Sequence, residues 1–181
     1  ALNPTLVDER PEAYIGMGYT AERVAKKFEV SRAEQDAFAA RSHEKALAAI
    51  AAGKFEDEIV PVDARAYEGG KLTSIRFDTD ECPRPGTTPE TLAKLKPVFV
   101  KDGTVTAGNS SPMNDGAAAA VLLSDALVAE HGVKPLGYLR AFVTRGVPPD
   151  IMGIGPVPAI RGLLDLVGMK VGDIDLFEIN E

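Results

Sequence analysis

Residues 104–120 read TVTAGNSSPMNDGAAAA, and the apolar residues 121–123 follow them directly. Gly, Asn and Ser are concentrated at residues 108–116, ahead of a run of alanines. Glycine permits close backbone approach, and the short Asn and Ser side chains place hydrogen-bonding groups near the backbone. This composition is compatible with a surface turn before a buried small-residue segment, and equally with a loop that lies against a polar ligand.

The overall composition indicates a globular chain with one domain or two small ones. The chain has 181 residues, of which 45% are hydrophobic, and its mean hydropathy is -0.04. With 20 basic and 27 acidic residues its net charge is -7, which disfavours a general nucleic-acid or anionic-membrane surface. No apolar run approaches the roughly 20 residues that span a bilayer. We therefore predict neither a nucleic-acid nor a membrane partner.

Two features favour a cytoplasmic location. The first residues, ALNPTLVDERPEAY, have neither the basic lead nor the apolar core of a signal peptide. The single Cys82 excludes a disulfide within the chain and suits a reducing compartment. Because the chain opens without a methionine or a clear first strand, we expect it to be an internal piece of a longer protein.

Capping signals predict the helices. Ser31 with Glu34 forms a capping box that opens a helix to about residue 52. On that helix we expect Phe38 and Ile50 in the buried stripe and Asp36 in water. Residues 1–19 are predicted to be irregular. The other predicted helices are residues 20–28 after an N-cap at Thr20, 89–96 after Thr88, 125–131 after Ser124, and 157–167.

Alternating apolar residues predict the strands. The predicted strands are residues 55–63, 71–78, 117–123, 136–145 and 175–179. A turn at residues 67–70 should join the first two. From residue 117 onward strands alternate with helices, which favours α/β layers.

One basic cluster stands out in this acidic chain. It consists of Arg84, Lys94, Lys96 and Lys101. A solvated charge cluster and a site for a phosphate-rich ligand, which Arg can bind through paired hydrogen bonds, both remain open.

Other motifs give weak signals. Gly153 and Gly155 suggest a dinucleotide-binding turn, but Pro158 replaces the third glycine and no clear strand precedes it. Cys82 lies among acidic residues, which disfavour a reactive thiolate. His43 and His131 are expected to be structural, and one Cys with two distant His predicts no metal site.

As a literal string, residues 103–119, GTVTAGNSSPMNDGAAA, resemble the signature of thiolases, which cleave or form 3-ketoacyl-CoA thioesters. Further segments agree with that family in order and spacing, so the resemblance covers nearly the whole chain. These segments are MGYTAERVAKKFEVSRAEQDAFAARSHEKA (17–46), GKFEDEIVPV (53–62), LAKLKPVF (92–99), MGIGPVPAI (152–160) and EINE (178–181).

The resemblance implies an α/β, thiolase-like fold that is present in part. Residues 1–112 would form most of a CoA-binding loop domain. Residues 113–132 would end the N-terminal thiolase half, and residues 133–181 would begin the C-terminal half.

The resemblance also implies an acyl-CoA acyltransferase that performs thiolytic cleavage or Claisen condensation of 3-ketoacyl-CoA. The family's nucleophilic cysteine, its Gly-x-His-Pro histidine and its second cysteine have no counterpart in this chain, so we expect the chain to be inactive alone. CoA and acyl-CoA would be substrates, with no bound cofactor, and the family habit is a homodimer or tetramer. The alternative is a non-catalytic CoA-ester binding or carrier module.

Residue by residue, the resemblance implies a set of roles. Asn180 matches the asparagine that positions a water in an oxyanion hole. Met17 and Met152 match apolar residues near the acyl end, and Gly16 stands where some biosynthetic members have histidine, which favours the degradative type. The residues that match CoA contacts are Arg84, Thr91, Leu95, Phe99, Ala107 and Ser111. We expect Arg84, Ser111 and Asn180 to share one cleft.

Overall fold

The computed structural model of the chain describes residues 2–180, apart from the side chain of Glu68. In chain order the elements are α1 (Pro4–Glu9), α2 (Met17–Lys27), α3 (Arg32–Ala51), β1 (Val62–Glu68), β2 (Lys71–Phe77), α4 (Pro89–Leu92), α5 (Asp125–His131) and α6 (Pro156–Val167). Short 3₁₀ turns occupy Pro11–Tyr14, Pro149–Ile154 and Val171–Asp173. The chain divides into two compact units: a central unit, Ala25–Pro112, and a split unit that combines the residues up to Val24 with those from Met113 onward.

The predicted capping box of α3 is confirmed in the central unit. The Ser31 hydroxyl accepts a hydrogen bond from the backbone N–H of Glu34, and the Glu34 carboxylate accepts one from the backbone N–H of Ser31 at 2.7 Å. Two of the helix's free N–H groups are therefore satisfied at its start. At the other end Gly53 has a φ of 66°, a left-handed conformation that glycine adopts without strain.

The buried face of α3 differs from the prediction. Phe38, expected inside, is 52% exposed, whereas Asp36, expected in water, is 2% exposed. Ala40 is the other buried residue of the helix. Burial of Asp36 is possible because other residues satisfy its carboxylate, as described below, and tertiary contacts of this kind override a hydrophobic pattern.

An antiparallel hairpin follows α3. Val62 of β1 pairs with Phe77 of β2, and Glu68 pairs with Lys71, so the turn consists of Gly69 and Gly70, both with positive φ. The prediction for β2 is confirmed. The strand predicted at residues 55–63 is wrong, because the chain continues in helical turns after Gly53 and the Ile59 N–H donates to the Phe55 carbonyl at 3.1 Å.

The helix α4 begins as predicted, with the Thr88 hydroxyl accepting from the Thr91 N–H. It ends at Leu92 rather than near residue 96. The Leu95 N–H donates to the Leu92 carbonyl at 2.9 Å, which tightens the chain into a shorter turn. Pro97 then excludes a further helical turn.

The split unit begins with structure that the sequence analysis assigned as irregular. α1 forms because the Asn3 side chain accepts from the Leu6 N–H at 3.2 Å and Pro4 occupies the first helical position. Thr20 was expected to cap α2 but lies within it, 3% exposed, and its hydroxyl donates to the Met17 carbonyl at 2.7 Å. The predictions for α5 and α6 are confirmed, and each helix ends at a left-handed glycine, Gly132 or Gly168.

Three segments of the split unit were predicted to contain strands and do not. Residues 113–123, 133–147 and 174–180 have no regular secondary structure and pair with no described residue as strands. Their apolar side chains are largely exposed; Val121 is 86% exposed and Phe142 is 75% exposed. A strand exists only through hydrogen bonds to a neighbour, so the apolar pattern alone cannot form one.

Candidate functional site

The predicted site residues are divided between the two units. The central unit carries Arg84, Thr91, Leu95, Phe99, Ala107 and Ser111, and the split unit carries Met17, Met152 and Asn180. The six residues of the central unit lie on two stretches, residues 84–99 and residues 104–111.

Gly108 brings these two stretches together. A Cβ at this position would lie 2.5 Å from both Leu92 Cδ2 and Leu95 Cδ1. Real Cβ atoms do not approach other atoms this closely, so a residue larger than glycine would displace both leucine side chains. The loop of residues 104–111, which carries Ala107 and Ser111, therefore packs directly on the turn that carries Leu95.

The segment between the two stretches is itself a closed loop. The Val98 N–H donates to the Val105 carbonyl at 3.0 Å, and the Gly103 N–H donates to the Val100 carbonyl at 3.0 Å. This loop starts with Phe99, which is 38% exposed, and Leu95 is 39% exposed. The first stretch, residues 84–99, thus presents two accessible apolar side chains.

The backbone of Arg84 is fixed to α3. Its N–H donates to His43 Nδ1 at 3.1 Å, and its carbonyl accepts from the Thr87 hydroxyl at 2.9 Å. Arg84 itself is exposed. This arrangement confirms His43 as a hydrogen-bonded structural residue and leaves the Arg84 guanidinium accessible to an anion.

Thr91 has a structural function in α4. Its hydroxyl accepts from the Thr88 N–H at 2.9 Å and donates to the Thr88 carbonyl at 2.9 Å. A hydroxyl has one proton to donate, so toward any ligand Thr91 could only accept. Glu90 lies in the same turn, and its pKa is lowered, first by a hydrogen bond from the Thr88 side chain.

A part-buried polar cluster, formed by Arg32, Asp36 and Asn109, connects α3 to the two stretches. Arg32 Nε lies 2.7 Å from Asp36 Oδ2, and Asn109 Nδ2 lies 3.1 Å from Asp36 Oδ1. Arg32 Nη2 also donates to the carbonyls of Leu92 and Leu95, at 2.6 and 3.1 Å. One carboxylate therefore joins α3 both to the turn after α4 and to the loop of residues 104–111.

The sequence analysis missed this cluster, although signals for it were present. Asp36 follows Arg32 by four residues, the spacing at which side chains on one helix meet. Asn109 lies inside the quoted stretch of residues 104–120. What sequence could not show is that Asn109 is brought to Asp36, because that contact spans 73 residues.

In the split unit, Met17 and Met152 lie on elements that pack together. Met17 is the first residue of α2 and Met152 lies in the 3₁₀ turn Pro149–Ile154. Arg23 Nη1 of α2 lies 3.1 Å from Asp150 Oδ2 of that turn. A cleft of about 810 Å³ in this region is lined by Pro11, Glu12, Tyr14, Ile15, Gly16, Tyr19, Arg23 and Asp150.

Asn180 is exposed at the end of the described chain, in the segment of residues 174–180. Glu181, which completes the EINE motif, lies outside the described residues. The expectation that Asn180 shares a cleft with Arg84 and Ser111 stays a prediction.

Three further features of the described residues concern metal sites, membrane-spanning helices and accessible thiols. Residues 2–180 include no group of three or more His, Cys, Asp or Glu side chains that could hold a metal ion. Within the same range, every helix is too short or too polar to cross a membrane. Cys82 is exposed.

Family models match both parts of the chain. The model of the thiolase N-terminal domain matches residues 4–126, and that of the thiolase C-terminal domain matches residues 133–181. The chain belongs to the thiolase family. The boundaries at residues 112 and 132 expected from the resemblance stay a prediction.

Individual thiolases are similar along almost all of the chain. The 3-ketoacyl-CoA thiolase of Bacillus subtilis (strain 168) is 50% identical over 184 residues, which cover 99% of this chain and 47% of that protein. The acetyl-CoA acetyltransferase of Shinella zoogloeoides is 48% identical over 182 residues, 99% of this chain and 45% of that protein. The chain thus spans less than half the length of these relatives.

Solved thiolase structures confirm the predicted thiolase-like fold. The dimeric peroxisomal thiolase of Saccharomyces cerevisiae has a TM-score of 0.86 and 42% identity, with 100% of this chain and 45% of that chain covered. The acetyl-CoA acetyltransferase of Bacillus anthracis has a TM-score of 0.81 and 49% identity, with 92% and 41% covered.

Proposed function

We propose that this chain supplies the CoA-binding part of a thiolase-type acyl-CoA acyltransferase, which cleaves or condenses 3-ketoacyl-CoA. The contact of Gly108 with Leu92 and Leu95 carries the proposal. It places a loop rich in small and polar residues against a turn with an accessible apolar side chain. A long cofactor arm with amide groups and methylene groups needs both kinds of surface.

The two ends of CoA would meet different groups of the central unit. The exposed Arg84 guanidinium would bind phosphate oxygens of the nucleotide, helped by the positive charge of Lys94, Lys96 and Lys101. Leu95 and Phe99 would contact the pantetheine arm through apolar surface, and the Ala107 backbone and the Ser111 hydroxyl would supply polar contacts. Thr91 would accept a hydrogen bond at the edge of this surface.

The split unit would contribute to the reacting end. Asn180 would position the water of an oxyanion hole, where preorganised donors stabilise developing negative charge. Met17 and Met152 would contact the acyl group. We place the nucleophilic cysteine in a longer protein, of the length of the relatives, so the 181-residue chain should bind CoA without turnover.

Assembly and location are two further parts of the proposal. One solved relative is a dimeric peroxisomal thiolase. A homo-oligomer is therefore proposed for the longer protein. The cytoplasm is proposed as its location, because the single Cys82 of this chain suits a reducing compartment.

Chemical-shift mapping tests CoA binding directly. CoA added to the ¹⁵N-labelled chain should shift the amide resonances of residues 84–99 and 104–111. The hairpin of β1 and β2 and the helix α5 provide internal controls whose resonances should stay in place. If the shifts concentrate in the control elements, or none appear at millimolar CoA, the proposed site is wrong.

A second experiment separates the enzyme from the carrier module, which binds CoA esters and needs no Asn180. In the longer protein, Asn180→Ala should lower kcat by about a hundredfold or more, because one oxyanion-hole group is lost. Arg65→Ala, a change at an exposed residue of β1, is the control. CoA binding without any acyl transfer in the wild-type longer protein favours the carrier, and equal acyl-transfer rates in wild type and Asn180→Ala would contradict the role of Asn180.

A further inference from the structure

We propose that Asn109, held by Asp36 and Arg32, is a positioning residue that sets the shape of the pantetheine side of the CoA site. The inference rests on the proposed function, since it names what fixes that site. It assigns no contact with CoA to the three residues themselves.

Asn109 determines the shape of its own loop. Its Oδ1 accepts from the Thr106 N–H at 2.7 Å, and its Nδ2 donates to the Thr104 carbonyl at 2.9 Å. The loop carries no regular secondary structure, so these side-chain bonds replace a backbone ladder. Thr106 is 1% exposed, which leaves the Asn109 amide as the partner that its N–H requires.

Asp36 and Arg32 connect that loop to the facing turn. The Asp36 carboxylate accepts from Asn109 with one oxygen and from Arg32 with the other. The Arg32 guanidinium then donates to the carbonyls of Leu92 and Leu95. The loop and the turn on the two sides of the proposed pantetheine surface are therefore both linked by hydrogen bonds to the Asp36 carboxylate. Asp36 is 2% exposed.

The geometry has a consequence for ligand binding. The loop and the turn are in close contact at Gly108, so a small shift of one changes the space between Ala107, Ser111 and Leu95. Arg84 is held separately, through its N–H and His43. Loss of the cluster should therefore weaken contacts with pantetheine and spare contacts with the nucleotide.

Calorimetric titrations of the full 181-residue chain with three ligands test this split. The ligands are CoA, its adenosine bisphosphate half and pantetheine. Asn109→Asp keeps an acceptor for the Thr106 N–H but turns an oxygen toward the Asp36 carboxylate, which repels it. We expect it to weaken CoA binding about tenfold or more and pantetheine binding with it. Binding of adenosine bisphosphate should change less than roughly twofold.

A rescue variant tests the contact itself. In the double variant Asp36→Asn with Asn109→Asp, the amide donor and the carboxylate acceptor exchange places. The residue at position 36 can still accept from Arg32 and can donate to position 109. CoA affinity should recover in part only, because the bond to the Thr104 carbonyl stays lost and Arg32 meets a neutral amide oxygen in place of a carboxylate.

Ser31→Ala is the control for stability alone. It removes the cap of α3 and leaves the contacts of Asp36 and Asn109 in place. It should leave all three affinities unchanged at a temperature where circular dichroism shows the chain folded. If Asn109→Asp proves unfolded, Asp36→Asn, which keeps the shape of the side chain, takes its place in the same titrations.

The outcomes are distinct. Wild-type chain that binds none of the ligands refutes the proposed function and this inference together. Wild-type binding with equal loss of all three ligands in Asn109→Asp, or with no loss, refutes the positioning role alone. So does a double variant no better than Asn109→Asp.

Discussion

The central unit and the split unit differ in how their polar and apolar groups are satisfied. In the central unit a buried carboxylate, Asp36, has a partner for each oxygen, and the chain from Thr104 to Ser110 is held by side-chain hydrogen bonds. In the split unit the segments of residues 113–123 and 133–147 expose apolar side chains and form no strand with any described residue. Polar groups with partners in the same unit therefore hold the candidate site in shape, whereas a strand cannot form without a neighbouring strand to bond to.

This contrast matters for function because only some of the residues proposed to contact CoA are held in place by other residues. Those of the central unit rest on a closed set of contacts at Gly108 and Asp36. Asn180, in contrast, lies in an extended segment that no described residue pairs with. Binding of CoA should therefore be a property of the central unit. Acyl transfer should require, in addition, contacts that fix the segment of residues 174–180 in place.

Hydrogen exchange should show the largest difference between the two units. Amides of residues 115–123 and 134–147 should exchange near the rate of an unfolded chain, because these segments form no strand with any described residue. Amides in the middle of α3 should exchange on the order of a hundredfold or more slowly. Equal protection of both, in dilute monomer, would contradict the contrast.

Removing the buried carboxylate should have a larger effect on stability than the changes at Gly108 and Ser31 described below. Asp36→Ala leaves the Arg32 guanidinium and the Asn109 amide without their acceptor. We expect a loss of about 3 kcal/mol of unfolding free energy, the low end for a broken buried pair. The Arg32 side chain is 22% exposed, so water replaces part of the contact. Urea denaturation followed by the helical signal measures the change.

Glu44→Ala is the matched control for Asp36→Ala, since Glu44 is exposed on the same helix. It should change the unfolding free energy by less than about 0.5 kcal/mol. A similar loss in both variants would mean that the cluster adds nothing beyond helix charge.

Gly108→Ala should have an intermediate effect. The added Cβ would meet the ends of the Leu92 and Leu95 side chains at 2.5 Å, and Leu92 is buried. Leu95 can turn outward but Leu92 has less room, so we expect a cost of about 1–2 kcal/mol from overpacking. Gly116→Ala, where a Cβ meets nothing within 4 Å, is the control. In thermal denaturation Gly108→Ala should therefore unfold at a lower temperature than Gly116→Ala.

The cap of α3 should have the smallest effect and a particular pH dependence. Ser31→Ala should cost about 1 kcal/mol. The Ser31 side chain, then its backbone N–H, lowers the pKa of Glu34 below its ordinary value of 4.5. Because the folded pKa is the lower one, this stabilisation is present above 4.5 and is lost as the pH falls through the folded value.

Thermal unfolding of wild type and Ser31→Ala at a series of pH values checks this sign. The difference in unfolding temperature between wild type and Ser31→Ala should be largest at neutral pH and should decrease below pH 4.5. A gap that widens in acid would contradict the assignment of Glu34 to the cap. Ser42→Ala, an exposed serine within α3, should show no such dependence.

Sequence reasoning succeeded where the determining signal was local. The cap at Ser31, the glycine pair at Gly69 and Gly70, and the helix that Gly168 ends were all readable, because each depends on residues within a few positions. It failed for Asp36, whose burial depends on Asn109, and for residues 117–123, where the expected strand has no pairing partner among the described residues. The residue roles taken from the family resemblance stay predictions, because similarity in sequence shows no contact with CoA.

Calorimetric titration of CoA into wild type, Arg84→Ala and Arg65→Ala tests the central claim most directly. Arg65 is an exposed arginine on β1, away from both stretches in sequence, so its removal changes net charge equally. We expect Arg84→Ala to weaken CoA binding by about tenfold or more through loss of a charge-assisted phosphate contact, and Arg65→Ala to bind as wild type does. Equal affinity in Arg84→Ala and wild type, or no binding by wild type, would contradict the account.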